Sequence, residues 1–310
     1  MNLRRRHVLW LPALLLSVVG CQDTTGFRLL RIVPSRTPPL VIGMPTENPI
    51  TALNPLTSYE FLCDALKEEL DQPVTVEPCF PFQTEPNLNS GLHQIAIVTP
   101  WQFASFSRPR GDIVIAIAAD KSGRSARSAL LVVPADSPVR AASDLRGKHV
   151  AFGRKGDSRS HAAGLVLLRE NGLNPLDLAL EMLPVPGSLR HIDDPHLLAL
   201  TVASGKVDAG FLDEATWEQL PERDGRNDEP TRAKMRVIAR TVALPDQLII
   251  RSDKLDDAKI RKIRSAFFAM QRNYPSVLTR LGCSGYREPM PATVDACLTL
   301  VSPGVKLFQN

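Results

Sequence analysis

The chain has 310 residues, 44% of them apolar and 23% charged, which is enough for roughly two globular units and excludes a disordered chain or a disulfide-stapled mini-protein. Lys and Arg number 37 against 33 Asp and Glu, but Arg4, Arg5 and Arg6 supply three of the excess, so the formal +4 falls to +1 without them. A nearly neutral body with 5% aromatics lacks the field and the stacking surface for nucleic acid, and 26 prolines spread along the chain exclude a coiled coil or long-helix bundle.

Arg4-Arg5-Arg6 precedes the apolar stretch Val8 to Val19, the charged-then-apolar order of an export signal. The stretch is shorter than the ~20 apolar residues a bilayer span needs, and Pro12 interrupts it. It ends in Ser17-Val18-Val19-Gly20-Cys21, which resembles the lipobox of bacterial lipoproteins, with Val18 where leucine is commonest. Residues 1–20 are therefore expected to be a lipoprotein signal peptide and Cys21 the lipidated new N-terminus. Residues 21–39, with little periodicity, read as a tether. An ordinary cleaved signal with a chance cysteine is the competing reading.

Leu40-Val41-Ile42-Gly43-Met44 reads as a buried strand closed by Pro45, and Leu56 to Leu70 carries apolar residues at helical spacing. Strands are expected over Val74–Glu77, Gln94–Val98 and Ile113–Ile117, continuous runs that suit a sheet covered on both faces. Another strand begins at Ser128 and a further one ends at Phe152; helix follows from Ser160 to about Asn171, stopped by Gly172. Helix over Leu197–Ser204, strands over Val207–Leu212 and Met235–Ala239, and an amphipathic helix over Asp256–Arg272 complete an alternation that predicts an α/β fold. Soft segments at Lys121–Ser125 and Arg223–Arg232 bracket the middle of the chain. Residues 40–121 plus 236–310 are thus expected to form lobe 1 and residues 122–235 lobe 2, hinged at Lys121–Arg127 and Arg232–Arg240.

Export also changes how the cysteines read. Cys63, Cys79, Cys283 and Cys297 are even in number, which suggests disulfides in an oxidising compartment, and sequence order favours Cys63–Cys79 and Cys283–Cys297 among three connectivities. No Cys-x-x-Cys pair, Walker loop, His-Glu-x-x-His or dinucleotide glycine motif occurs, so no metal or cofactor is expected.

Five blocks fall in the order and spacing of one family: Val41 to Pro49, Ile95 to Pro100, Ser143 to Gly153, Gly205 to Gly210 and Arg236 to Arg240. Together, behind the lipobox, they resemble the phosphate, phosphite and phosphonate substrate-binding lipoproteins of ABC importers. The similarity covers about Leu40 to Pro289. It implies the two-lobed type II periplasmic-binding fold with a small oxyanion in the cleft, an ABC permease as membrane partner, a monomer, and no enzymatic activity. The protein would then work in the cell envelope, facing the periplasm or the exterior.

In that family the oxyanion rests on a Ser-Thr-Ser-Gly turn opening a helix, where unpaired N–H groups and the helix dipole favour negative charge. The turn falls here on Asp157-Ser158-Arg159-Ser160. Ser158 keeps a hydroxyl, Ser160 replaces glycine, Asp157 would repel an anion, and Arg159 can clamp one. Val98 and Ala126 stand near positions where the family carries aromatics. The resemblance implies Ser158, Arg159 and Ser160 as the anion grip, with Thr99 and Thr46 adding hydroxyls from the opposite lobe. Asp213 and Asp246 are the implied proton acceptors, and His196 is nearest to the family's histidine. Two rivals are a sensor or partner-docking lipoprotein with the same fold, and an esterase using Ser158 as nucleophile with His196 and Asp193.

Overall fold

The computed structural model describes residues 37–47, 53–183, 186–220 and 231–300. The expected signal peptide, Cys21, nearly all of the tether and most of the soft segment at Arg223–Arg232 lie outside the described residues.

The chain begins with β1 (Leu40–Pro45), α1 (Leu53–Leu70), β2 (Val74–Cys79), α2 (Pro81–Ser90), β3 (Ile95–Val98), α3 (Pro100–Ala104) and β4 (Val114–Asp120). It then forms β5 (Ala129–Pro134), β6 (Val150–Phe152), a π-type turn over Ser158–Ala163 that runs into α4 (Gly164–Glu170), and β7 (Arg190–His191). Next come α5 (Pro195–Ala203), β8 (Ala209–Asp213), α6 (Glu214–Gln219) and β9 (Met235–Arg240). The last stretch is β10 (Leu248–Arg251), α7 (Asp257–Asn273), α8 (Pro275–Leu281), β11 (Cys283–Arg287) and α9 (Pro291–Leu298).

The strands form two sheets, β11-β4-β10-β3-β1-β2 and β7-β6-β8-β5-β9. β1 runs parallel to β2 and β3, and β6 runs parallel to β7 and β8. The first strand laid down after each crossing, β5 or β10, is antiparallel to both neighbours. Both sheets are covered on both faces, as the apolar runs require. Leu131 and Val133 of β5 enter one core while Leu130 and Val132 enter the opposite one. Ile249 of β10 likewise faces away from Leu248 and Ile250. This period-two alternation inside uniformly apolar strands is what a three-layer lobe demands.

The crossings lie side by side: Arg127 N–H donates to Leu244 O at 3.0 Å and Leu244 N–H to Arg127 O at 2.8 Å. The first crossing runs from β4 of the first sheet to β5 of the second, over residues 121–128. The second lies beyond the expected Arg232–Arg240, because Met235–Arg240 pairs antiparallel with β5 and so belongs to the second sheet. The return therefore occupies residues 241–247, and the charge-rich segment before Arg232 precedes the last strand of lobe 2 rather than forming the hinge. Arg127 knots the first crossing. Its side chain is 7% exposed and bonds to Asp120, to Glu218 at 2.7 Å and to Ser122 at 3.0 Å. Burial pushes the Asp120 carboxyl up, but hydrogen bonds from Arg127, Ser122 and Arg124 outweigh it and hold it at about 2.

The expected disulfides are not formed: Cys63, Cys79, Cys283 and Cys297 are all free thiols. Cys283 lies in the core on one face of the first sheet and Cys297 in the core on the other, so the sheet itself separates them. Cys63 bonds to the backbone at Val76, while Cys79, three residues further along β2, faces Thr84 at 3.6 Å.

Candidate ligand-binding cleft

The lobes meet at the loop between β6 and α4. Gly153 opens it, and a Cβ there would lie 2.0 Å from Ser160 Oγ and 2.8 Å from Ser160 Cβ, so the Ser160 side chain fills the space that a larger residue would need. Gly156 has φ +83°, the left-handed region that favours glycine. Asp157 follows as the N-cap. Its carboxylate accepts the N–H groups of Arg159 at 3.0 Å and Ser160 at 2.6 Å, and the Ser160 hydroxyl at 2.7 Å. The donors expected to grip an anion are therefore already bonded to a carboxylate of the chain itself.

Arg159 is brought together with both acids the sequence singled out. Its Nε lies 2.8 Å from Asp213, at the end of β8, and its Nη1 lies 2.6 Å from Asp246, in the return crossing. Burial pushes the Asp213 carboxyl up, against Arg159 and the Ala215 N–H, which pull it down. Ser158 Oγ accepts the Trp101 N–H at 3.1 Å, a hydrogen bond from one lobe to the other. Deeper in, Ala162, Ala163 and Val166 pack into the apolar cluster of the first lobe around Phe103 and Phe106.

Thr99 and Thr46 line a groove that reaches the turn at Asp157 but is not lined by Arg159, Asp213 or Asp246, and Thr99 Oγ1 is occupied as the cap of α3, accepting the Gln102 N–H at 3.2 Å. His196 is an exposed first-turn residue of α5, with its N–H bonded to Asp194. His161, at first sight an ordinary helix residue, is buried and accepts the Gly156 N–H on Nδ1 at 3.1 Å. Burial, reinforced by His191 with its ring 4.8 Å away, pushes its pKa down to about 4. The esterase arrangement is not assembled: Ser158 is bonded to Trp101, while Asp193 and His196 stand exposed.

A groove of about 870 Å³ runs between the lobes, walled by Thr46, Phe82, Thr99 and Trp101 on one side and Arg154 to Asp157 on the other. Arg154 reaches Glu47 across its mouth at 3.2 Å. Sequence reasoning passed over Trp101 and Phe82. Trp101 directly follows the quoted Thr99-Pro100, and an aromatic two residues past a capping Thr at a strand end was the available signal.

Two α/β lobes joined by paired crossings, with charged and aromatic groups facing across a cleft, define a two-lobed periplasmic-type substrate-binding protein. The family model for ABC-transporter, phosphonate, periplasmic substrate-binding proteins matches residues 46–293, and the chain belongs to that family. It is accordingly a binding protein and not an enzyme, working outside the cytoplasm with a small-molecule ligand and a membrane permease as partners.

Solved structures agree in fold. XAC2383 from Xanthomonas citri, bound to ATP, is 17% identical with a TM-score of 0.61, over 87% of this chain and 98% of that one. PhnD1 from Prochlorococcus marinus, in complex with methylphosphonate, is 14% identical with a TM-score of 0.55, over 88% and 99%. A binding protein component of an ABC phosphonate transporter from Pseudomonas aeruginosa is 16% identical with a TM-score of 0.52, over 83% of each chain. No curated protein matches the chain in a sequence search.

Proposed function

We propose that the cleft carries a small organic oxyanion of the phosphonate kind, and that the protein works as a monomer held at the cell envelope by lipid on Cys21. The observation that carries this reading is Arg159, a largely buried guanidinium where the lobes meet, within 2.8 Å of Asp213 and 2.6 Å of Asp246. A buried guanidinium offers directed, charge-assisted hydrogen bonds to an oxyanion. Asp157, Asp213 and Asp246 surround that single cation, so a fully ionised dianion meets net repulsion. A monoanion that keeps one acidic proton, or a phosphonate bearing an amine, can instead donate to Asp213 or Asp246. The turn contributes by exchange: the ligand gains the N–H groups of Arg159 and Ser160 as the Asp157 carboxylate gives them up.

A thermal-shift panel of phosphate, phosphite, methylphosphonate, 2-aminoethylphosphonate, sulfate and acetate tests this. A ligand at a hundred times its Kd should add about 2.7 kcal/mol of stability. A phosphonate or phosphite is expected to raise the melting temperature of the wild type and not of Arg159→Gln. No shift with any oxyanion, or an unchanged shift in Arg159→Gln, would overturn the site. The anchor is tested separately by Cys21→Ser, which should release the protein from membranes or leave it unprocessed.

A further inference from the structure

The groove is far larger than a bare oxyanion. At about 870 Å³ it matches the 300–1,000 Å³ pockets that hold organic ligands, whereas a five-atom oxyanion occupies only a few waters' worth of space, about 100 Å³. Its walls are also divided by chemistry. Phe82 lines it and is 75% exposed, yet its ring is held in place by stacking on Phe80 at 5.4 Å and 12°. Trp101 lines the same wall, its backbone fixed by the bond to Ser158 and its ring set against the edge of His161 at 6.3 Å. Across the groove stand Arg154, paired with Glu47, and Lys155, which has no carboxylate within ion-pair distance among the described residues; the acids Glu47, Glu85 and Asp157 line the groove as well.

We infer that the ligand is a phosphonate-type anion carrying an aromatic ring, its ring lying on Phe82 and Trp101 and its charged end toward Lys155 and the Asp157–Ser160 turn. An uncovered phenyl ring already fixed in orientation loses little conformational entropy when a ligand ring stacks on it, and both rings leave water. Lys155, without a carboxylate partner, supplies the complementary charge at the opposite wall, and the acids of the lining favour a ligand of low net charge. This inference rests on the phosphonate reading above and narrows it to a substituent class.

The test compares two probes that share one head group, methylphosphonate and phenylphosphonate, by isothermal titration of the full-length protein. Phenylphosphonate is expected to bind at least tenfold more tightly. Phe82→Ala should erase that preference and leave methylphosphonate affinity within twofold of wild type, since Phe82 is an exposed residue of the first turn of α2 whose loss does not unfold the lobe. Equal affinity for the two probes, or a preference that survives Phe82→Ala, would overturn the aromatic subsite while the phosphonate reading stands. Absence of binding by either probe would overturn both.

Discussion

Asp157 places a fixed negative charge on the donors where a ligand oxyanion would otherwise lie. An N-cap carboxylate is a favourable feature of a helix start, contributing about 1 kcal/mol, but here it competes with the ligand for the N–H groups of Arg159 and Ser160. Asp157→Asn keeps a cap oxygen and removes the charge. It is expected to lower stability by up to about 1 kcal/mol while tightening methylphosphonate binding several-fold, both readable from melting curves with and without ligand. Weaker binding in this variant would show that the carboxylate helps hold the ligand. His161 gives a second prediction. The unfolded chain protonates this imidazole near its ordinary value of 6.5 and the folded chain only near 4, so the unfolded state binds more protons across that window. Stability should therefore fall by about 2 kcal/mol from pH 7 to pH 5, and this acid-sensitive component should vanish in His161→Gln, measured by urea unfolding at the two pH values. The sequence singled out Asp213, Asp246 and Arg159 as candidates, but their mutual ion pairs were not legible, because they join a strand end, a turn and a crossing far apart in sequence. The capping role of Asp157 was legible in principle from its position before Ser158-Arg159-Ser160, yet the family's glycine-ended turn drew attention to the anion instead.

At the scale of elements, the paired crossings decide how the lobes are coupled. Arg127 joins Asp120, Ser122 and Glu218 in one network, and it lies almost wholly out of water. Deleting one member of such a buried network leaves the others uncompensated, so Arg127→Met should cost about 3 kcal/mol in denaturant unfolding. Charge-neutral Glu218→Gln, at the 40%-exposed end, should cost under about 1 kcal/mol. Equal losses in the two variants would contradict a hub centred on Arg127. Long apolar strands were readable from the sequence because a strand buried on both faces is a continuous β-branched run. β10, with Leu248-Ile249-Ile250, was equally apolar and was passed over because it is short and follows a proline-containing crossing. α2 escaped for another reason: Pro86 lies inside it and its apolar periodicity is weak. The membership of β9 could not be read locally at all, since it depends on which sheet offers a free edge beside β5.

For the whole molecule, strand–helix alternation fixed the fold class, and the ordered blocks from Val41 to Arg240 carried the family resemblance that the match over residues 46–293 establishes. The cysteine pairing failed because counting thiols in an exported chain ignores the sheet between Cys283 and Cys297. The cleft itself unites β8, the loop before α4, the start of α3 and the return crossing, segments that only the two-lobed fold brings together. A cleft between lobes is needed because closing it removes the anion from water, where each hydrogen bond to a charge is worth roughly 1.5–3 kcal/mol. The most direct measurement of the central claim is calorimetric titration of methylphosphonate into the wild-type protein and into Arg159→Gln. Saturable one-to-one binding by the wild type and its loss in the variant is the expected result; undetectable binding by the wild type, or equal affinity in both, would contradict an oxyanion site built on Arg159.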